Sequence, residues 1–194
     1  MRPLLEAEKL LSLTAVVYQR GDKLGQLLAA ISLLPLVLLV SLATLILCRR
    51  DLQTCCLLLG QLLNELVNKA LKETIREARP LGSPGDDFGM PSSHSQFMGF
   101  FAACHVQFAY SRRKHHRGVE VYGSSALAVG CAVLVAFSRV HLRYHTLEQV
   151  LIGGALGVAC GLGWRALTVT YFAPSIFPWL EETTLAKAFW IHGS

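Results

Sequence analysis

Gly89-Met90-Pro91-Ser92-Ser93-His94-Ser95-Gln96 is a polar break between two long apolar runs. Glycine and proline punctuate the chain up to Pro91, and apolar residues resume at Phe97. Ser93 followed by Gln96 has the spacing of a capping box, which predicts a helix starting here with His94 in its first turn. The first N–H groups of such a helix have no intrahelical partner, so together they form an anion site. The stretch places an imidazole beside free backbone donors, where the chain leaves and re-enters an apolar phase.

Composition agrees. Of 194 residues, 53% are hydrophobic and 16% charged, and mean hydropathy is +0.44. Soluble domains carry about 25% charged residues, so the deficit points to a membrane protein. The length suits one domain over residues 1–194. The net charge of +5 is modest, and most basic residues end apolar runs. Anchoring at the bilayer or binding an anionic substrate explains them better than nucleic acid does. Cys48, Cys55, Cys56, Cys104, Cys131 and Cys160 lie in or beside apolar runs without a C-x-x-C, so they read as packing residues and no zinc site is expected. Residues 1–13 include Glu6, Glu8 and Lys9 and lack the apolar core of a cleavable signal.

Working outward, residues 27–48 carry no charge and suffice for one span, with Pro35 as a tolerated kink. Residues 52–71 form a second, with Gln61, Asn64, Glu65 and Asn68 on one helical face that Lys72 and Arg79 would extend. A helix lying flat on the membrane is the alternative for that run. Further spans are expected from His94 to about Tyr110, Val121 to Phe137 and Leu147 to Leu167. Gly153, Gly157 and Gly161 recur every four residues in the last, which lets helix backbones approach closely. The expected architecture is thus an all-α, polytopic transmembrane helix bundle of about five spans. Residues 4–11 are either a surface helix or a disordered arm, and the tail from Phe172 reads as interfacial or irregular. Arg49, Arg50, Arg112, Arg113, Lys114 and Arg117 would share the cytoplasmic face, with segments 72–93 and 138–145 opposite.

Candidate chemistry gathers in those two opposite segments. Lys72 and Arg79 are seven residues apart and would share a face if the helix continued. Two fixed cations suit a phosphate, although snorkelling at a membrane edge explains them too. Ser138-Arg139-Val140-His141-Leu142-Arg143-Tyr144-His145 leads into Thr146-Leu147-Glu148-Gln149, a second capping box. Both helix starts then emerge on one side. His94, His145, Lys72, Arg79 and Arg139 can converge on one phosphate, with a histidine available to protonate a leaving group. His105, His115, His116 and His192 read as packing, loop or tail residues, His141 as a neighbour of the site, and Asp86 and Asp87 as a solvated loop rather than a magnesium site.

Lys72-x6-Arg79-Pro80, Pro91-Ser92-Ser93-His94 and Ser138-Arg139-x5-His145 resemble the three motifs of the type 2 phosphatidic acid phosphatase (PAP2) superfamily, over a motif core of residues 72–149. Gly89 to Met98, Ser138 to Thr146, Gln149 and Tyr18 to Pro35 are similar to the dolichyldiphosphatase branch. The resemblance implies a PAP2/acid-phosphatase-type bundle that hydrolyses dolichyl diphosphate to dolichyl phosphate. The enzyme would sit in the endoplasmic reticulum membrane with its active site facing the lumen, and would recycle the carrier for protein N-glycosylation. It implies His145 as nucleophile forming a phosphohistidine and His94 as general acid. Lys72, Arg79 and Arg139 would be the phosphate clamp, with Ser92 and Ser93 assisting, and no metal or cofactor is needed. The superfamily's usual aspartate four residues after the nucleophile is replaced here by Gln149, with Glu148 beside it, so either could orient His145. A broader lipid phosphate phosphatase, a non-catalytic scaffold and a channel or transporter remain the competing readings.

Overall fold

Apolar runs bounded by polar and charged residues fold into the helices of the described part of the chain. The computed structural model describes residues 16–18, 21–84, 87–113 and 117–183. The helices are α1 (Lys23–Ile31), α2 (Leu34–Arg49), α3 (Leu52–Ile75), α4 (Ser93–Ser111), α5 (Gly118–His141), α6 (Leu147–Leu167) and α7 (Phe177–Glu182), with a π-helical segment, Thr168–Ile176, joining α6 to α7. No strand occurs among the described residues. The expected surface helix at 4–11, Asp86, the 114–116 part of the basic loop and His192 lie outside them.

Three helical stretches, Lys23–Arg49, Gly118–His141 and Leu147–Glu182, are long and apolar enough to cross a membrane. Helices α3 and α4, with 24 and 19 residues, have comparable length. They fall outside that group because they carry the polar residues of the site. The first expected span is two helices rather than one kinked helix. α1 ends at Ile31, and Pro35 enters α2 in its first turn, where its missing N–H costs no bond. The expected irregular tail is instead helical through Glu182. The wider π turns take in Pro174, which cannot donate an α-helical bond.

The polar stripe on α3 faces inward, as polar groups in lipid must. Gln61, Asn64, Asn68 and Lys72 are all buried, whereas Glu65 is exposed and does not belong to that face. The stripe receives Gln96 from α4. Its Nε2 donates to Asn64 O and Oδ1, both at 3.0 Å, and its Oε1 accepts from Asn68 Nδ2 at 2.8 Å. The capping box expected at Ser93 and Gln96 therefore does not form. Ser92 is the N-cap, without a side-chain cap bond. Gln96 is wholly buried, so its amide takes partners from α3 rather than from the helix end. The box expected on α6 does form, between Thr146 and Gln149.

Helix α4 packs most extensively on α6, and the glycine ladder makes this possible. A Cβ on Gly157 would lie 2.0 Å from Gln96 O, one on Gly153 2.6 Å from Ser92 O, and one on Gly161 2.7 Å from Phe100 O. That contact brings the start of α4, with His94, against the start of α6, just after His145.

Candidate active site

Lys72 lies in the last turn of α3 and is buried. Beyond Ile75 the helix stops, because Arg76 takes the left-handed conformation (φ 53°). Arg79 is therefore not two turns further along the same helix, as its spacing from Lys72 suggested. The coil after α3 folds back and carries it inward instead. Its Nη1 donates to Tyr144 O at 3.0 Å and lies 3.3 Å from His145 Nε2. Its Nε donates to Asp87 Oδ1 at 2.9 Å. Lys72 Nζ and Arg79 Nη2 both pair with the same Asp87 carboxylate. Burial pushes the Asp87 carboxyl up, but its bonds to Lys72 and then Arg79 outweigh that, so it sits below its ordinary value. Asp87, expected to be a solvated loop residue, thus places an anion between two of the predicted clamp cations.

His145 is 2% exposed at the end of the α5–α6 turn. Its Nδ1 lies 3.1 Å from Gln149 Oε1. Gln149 Nε2 donates to Glu77 Oε1 at 2.8 Å and to Ala78 O at 2.9 Å. Both of those partners are acceptors, so the amide orientation is fixed, and its Oε1 must accept from His145. The imidazole proton then sits on Nδ1, and the Nε2 lone pair faces Arg79. Burial, followed by the charges of Arg79 and Arg139, pushes the His145 pKa down to about 3, against an upward contribution from Gln149. The ring is accordingly neutral, the form that can act as a nucleophile.

Gln149 makes both of the contacts the sequence left open, one with the His145 ring and one at the helix cap. Its Oε1 also accepts from Thr146 N at 3.3 Å, which completes the helix cap. Glu148, the alternative orienting residue, is exposed. Glu77 was missed in the sequence reading. Its only signal was a carboxylate between Lys72 and Arg79, and nothing local shows that it faces Gln149. Gly89 belongs to the same contact, since a Cβ there would lie 2.5 Å from Gln149 Nε2.

Arg139 is buried, with its guanidinium 3.9 Å from the Tyr144 ring centroid. Its Nε has no hydrogen-bond partner, which leaves a buried donor available to an anion. His94 lies in the first turn of α4 and has no hydrogen-bond partner among the described residues. Arg139, His145, Lys72 and Arg79 are all close enough to act on it electrostatically. The two serines differ. Ser93 lines a groove of about 510 Å³ together with Lys72, Asp87, Phe88 and Asn68. Ser92 is fully buried, with its N–H on Gln149 O at 3.1 Å and its Oγ accepting from Ser95. His141 pairs with Asp22, 2.9 Å away, and so ties α5 to the start of α1. Among the described residues, no group of three or more histidine, cysteine and carboxylate side chains is arranged to hold a metal ion.

The PAP2 superfamily profile matches residues 53–173, which contain every one of these site residues. The chain belongs to the PAP2 superfamily. Among PAP2 relatives, dolichyldiphosphatase 1 of Rhinolophus ferrumequinum is 41% identical over 93% of this chain and 79% of its own length. Lipid phosphate phosphatase gamma of Arabidopsis thaliana is 35% identical over 95% of this chain and 83% of its own length. The crystal structure of a transmembrane PAP2-type phosphatidylglycerolphosphate phosphatase from Bacillus subtilis superposes with a TM-score of 0.66 at 27% identity. It covers 82% of this chain and 84% of that one. This PAP2 protein is a multi-pass membrane enzyme and a lipid phosphatase.

Proposed function

We propose that the protein removes the terminal phosphate of dolichyl diphosphate, leaving dolichyl phosphate, through a phosphohistidine on His145. One observation carries the mechanism. Arg79 joins an anion, now the Asp87 carboxylate, to the lone-pair nitrogen of a neutral imidazole, 3.3 Å from its Nη1. When substrate replaces that carboxylate, its terminal phosphoryl group lies on Lys72, Arg79 and Arg139, with His145 Nε2 in reach of phosphorus. Attack by Nε2 breaks the bond to the bridging oxygen, and His94 gives that oxygen a proton. The cations stabilise charge on the equatorial oxygens, while Gln149 and Glu77 hold the Nδ1–H as the ring becomes cationic. Water then attacks the phosphohistidine, His94 now accepting its proton, and releases inorganic phosphate.

The dolichyl tail is proposed from the similarity to dolichyldiphosphatases over almost the whole chain. It implies residence in the endoplasmic reticulum membrane with the site towards the lumen, where the product re-enters protein N-glycosylation. The relative named for lipid phosphate supports a second reading, broader action on phosphatidate or similar lipids.

The test is phosphate release from dolichyl diphosphate, dolichyl phosphate and phosphatidate, with chelator and without added metal. The diphosphate is expected to be preferred and vanadate to inhibit. His145→Ala is expected to be inactive and His94→Ala to lose at least about a hundredfold in kcat. Full activity of His145→Ala would overturn the mechanism, and equal rates on all three lipids would favour the broader enzyme.

A further inference from the structure

The end of the bundle opposite the catalytic histidines has a cavity of its own, about 460 Å³, between α2, α3, α4 and α6. Its α3 lining runs from Gln53 and Thr54 to Leu57, in the first turns of that helix, whereas Lys72 is near the helix end. Fifteen residues of helix separate Leu57 from Lys72, about 22 Å at 1.5 Å per residue. It is therefore a separate site from the phosphate clamp.

We propose that this cavity binds one anionic phospholipid, with its phosphate on Arg49, Arg112 and Arg165 and an acyl chain along Leu45, Leu57 and Phe101. All six residues line it. None of the three arginines makes an ion pair with a carboxylate among the described residues. Arg112 and Arg165 both lie against the Phe108 ring, with guanidinium carbons 4.8 and 5.5 Å from its centroid. Stacking of this kind leaves guanidinium N–H edges free to grip an anion. Arg165 spends one long bond, 3.4 Å, on Ser111 Oγ. Asp51 is the one carboxylate in the lining, and it is engaged in capping α3 through Thr54 N at 2.7 Å and Thr54 Oγ1 at 2.8 Å. The site therefore carries excess positive charge.

A second observation points to an occupant. His105 also lines the cavity, and its Nε2 is buried with no hydrogen-bond partner. An ester or phosphoryl oxygen would satisfy it. Guanidinium groups without counter-charges are costly at a bilayer, and a phosphodiester offsets that cost. The apolar walls distinguish a lipid from a free anion, which would have no use for them.

Trp164 lines the same cavity and provides the readout. The full-length protein in neutral detergent, with the other two tryptophans changed (Trp179→Phe, Trp190→Phe), is titrated with lipids brominated on the acyl chain. Brominated phosphatidylglycerol, a phosphodiester, is expected to quench Trp164 at a several-fold lower mole fraction than brominated phosphatidylcholine. Adding His145→Ala should leave that preference intact, which separates this site from the catalytic one and from the proposed reaction. Arg49→Gln with Arg112→Gln and Arg165→Gln should abolish it. Retained phosphatase turnover in that triple variant shows that the bundle still folds, and replacement by lysine instead should restore part of the preference if the triple glutamine variant does not fold. Equal quenching by the two lipids overturns the proposal. So does a preference that survives loss of the three arginines, or one that excess inorganic phosphate removes.

Discussion

His145 Nδ1 faces Gln149 Oε1 at 3.1 Å, so an amide holds the ring where a carboxylate would be the simpler choice. The amide cannot carry the compensating charge, but it passes the contact on to one. Gln149 Nε2 donates to Glu77 Oε1 at 2.8 Å. His145 is thus tied to a carboxylate one side chain further away.

That tie predicts a rate effect without a binding effect. Glu77→Ala should lower kcat about ten- to a hundredfold, the scale of a charged hydrogen bond worth about 1.5–3 kcal/mol. KM should change little. Glu77→Gln keeps an acceptor oxygen and should recover part of the loss. Steady-state kinetics on a short-chain polyprenyl diphosphate read both. A matching rise in KM would mean that Glu77 serves substrate binding.

Asp87 pairs with Lys72 and Arg79, two cations that the proposed mechanism gives to phosphate, so Asp87→Asn should tighten substrate and vanadate binding. The gain should be at most about fivefold, because the Asp87 side chain is 56% exposed and exposed ion pairs contribute about 1 kcal/mol or less. Inhibition constants for vanadate measure this without the lipid. Weaker binding in Asp87→Asn would show that the carboxylate helps to build the clamp.

The glycine ladder predicts a contrast within one helix. Gly157→Ala places a Cβ against the Gln96 backbone, which cannot give way, and should destabilise by about 1–3 kcal/mol. Gly154→Ala and Gly163→Ala meet nothing within 4 Å. They should melt with the parent protein when thermal unfolding is followed in detergent.

Acid sensitivity follows from His145. Its pKa in the folded chain is about 3, below the ordinary 6.5, so the unfolded chain binds the extra proton between those values. The stability this residue contributes is complete above about pH 6.5 and is lost as pH falls towards 3. His145→Gln cannot titrate and should flatten the decline in Tm between pH 6.5 and 4. Arg79→Ala removes a repelling charge and should flatten it partly.

Much of the architecture was legible locally. Hydropathy located the membrane runs, and the Thr146–Gln149 spacing marked a helix start that forms as expected. The glycine repeat identified the face of α6 that meets α4. The same local grammar failed at Ser93, where Gln96 has the cap spacing but burial gives its amide to Asn64 and Asn68. It failed again at Arg79, because the left-handed turn at Arg76 that ends α3 carries no glycine to announce it.

The sequence by itself picked out the candidate histidines and cations, because hydrophobic runs, caps and cation spacings are properties of neighbouring positions. Only the tertiary structure decided how they are wired. Glu148 and Gln149 follow His145 by three and four positions, and helix rotation alone exposes the first and buries the second. Glu77 is 72 residues from Gln149, and Asp87 reaches the clamp from a loop. Contacts of that kind depend on how helices dock and coils fold back, which is a property of the packed bundle.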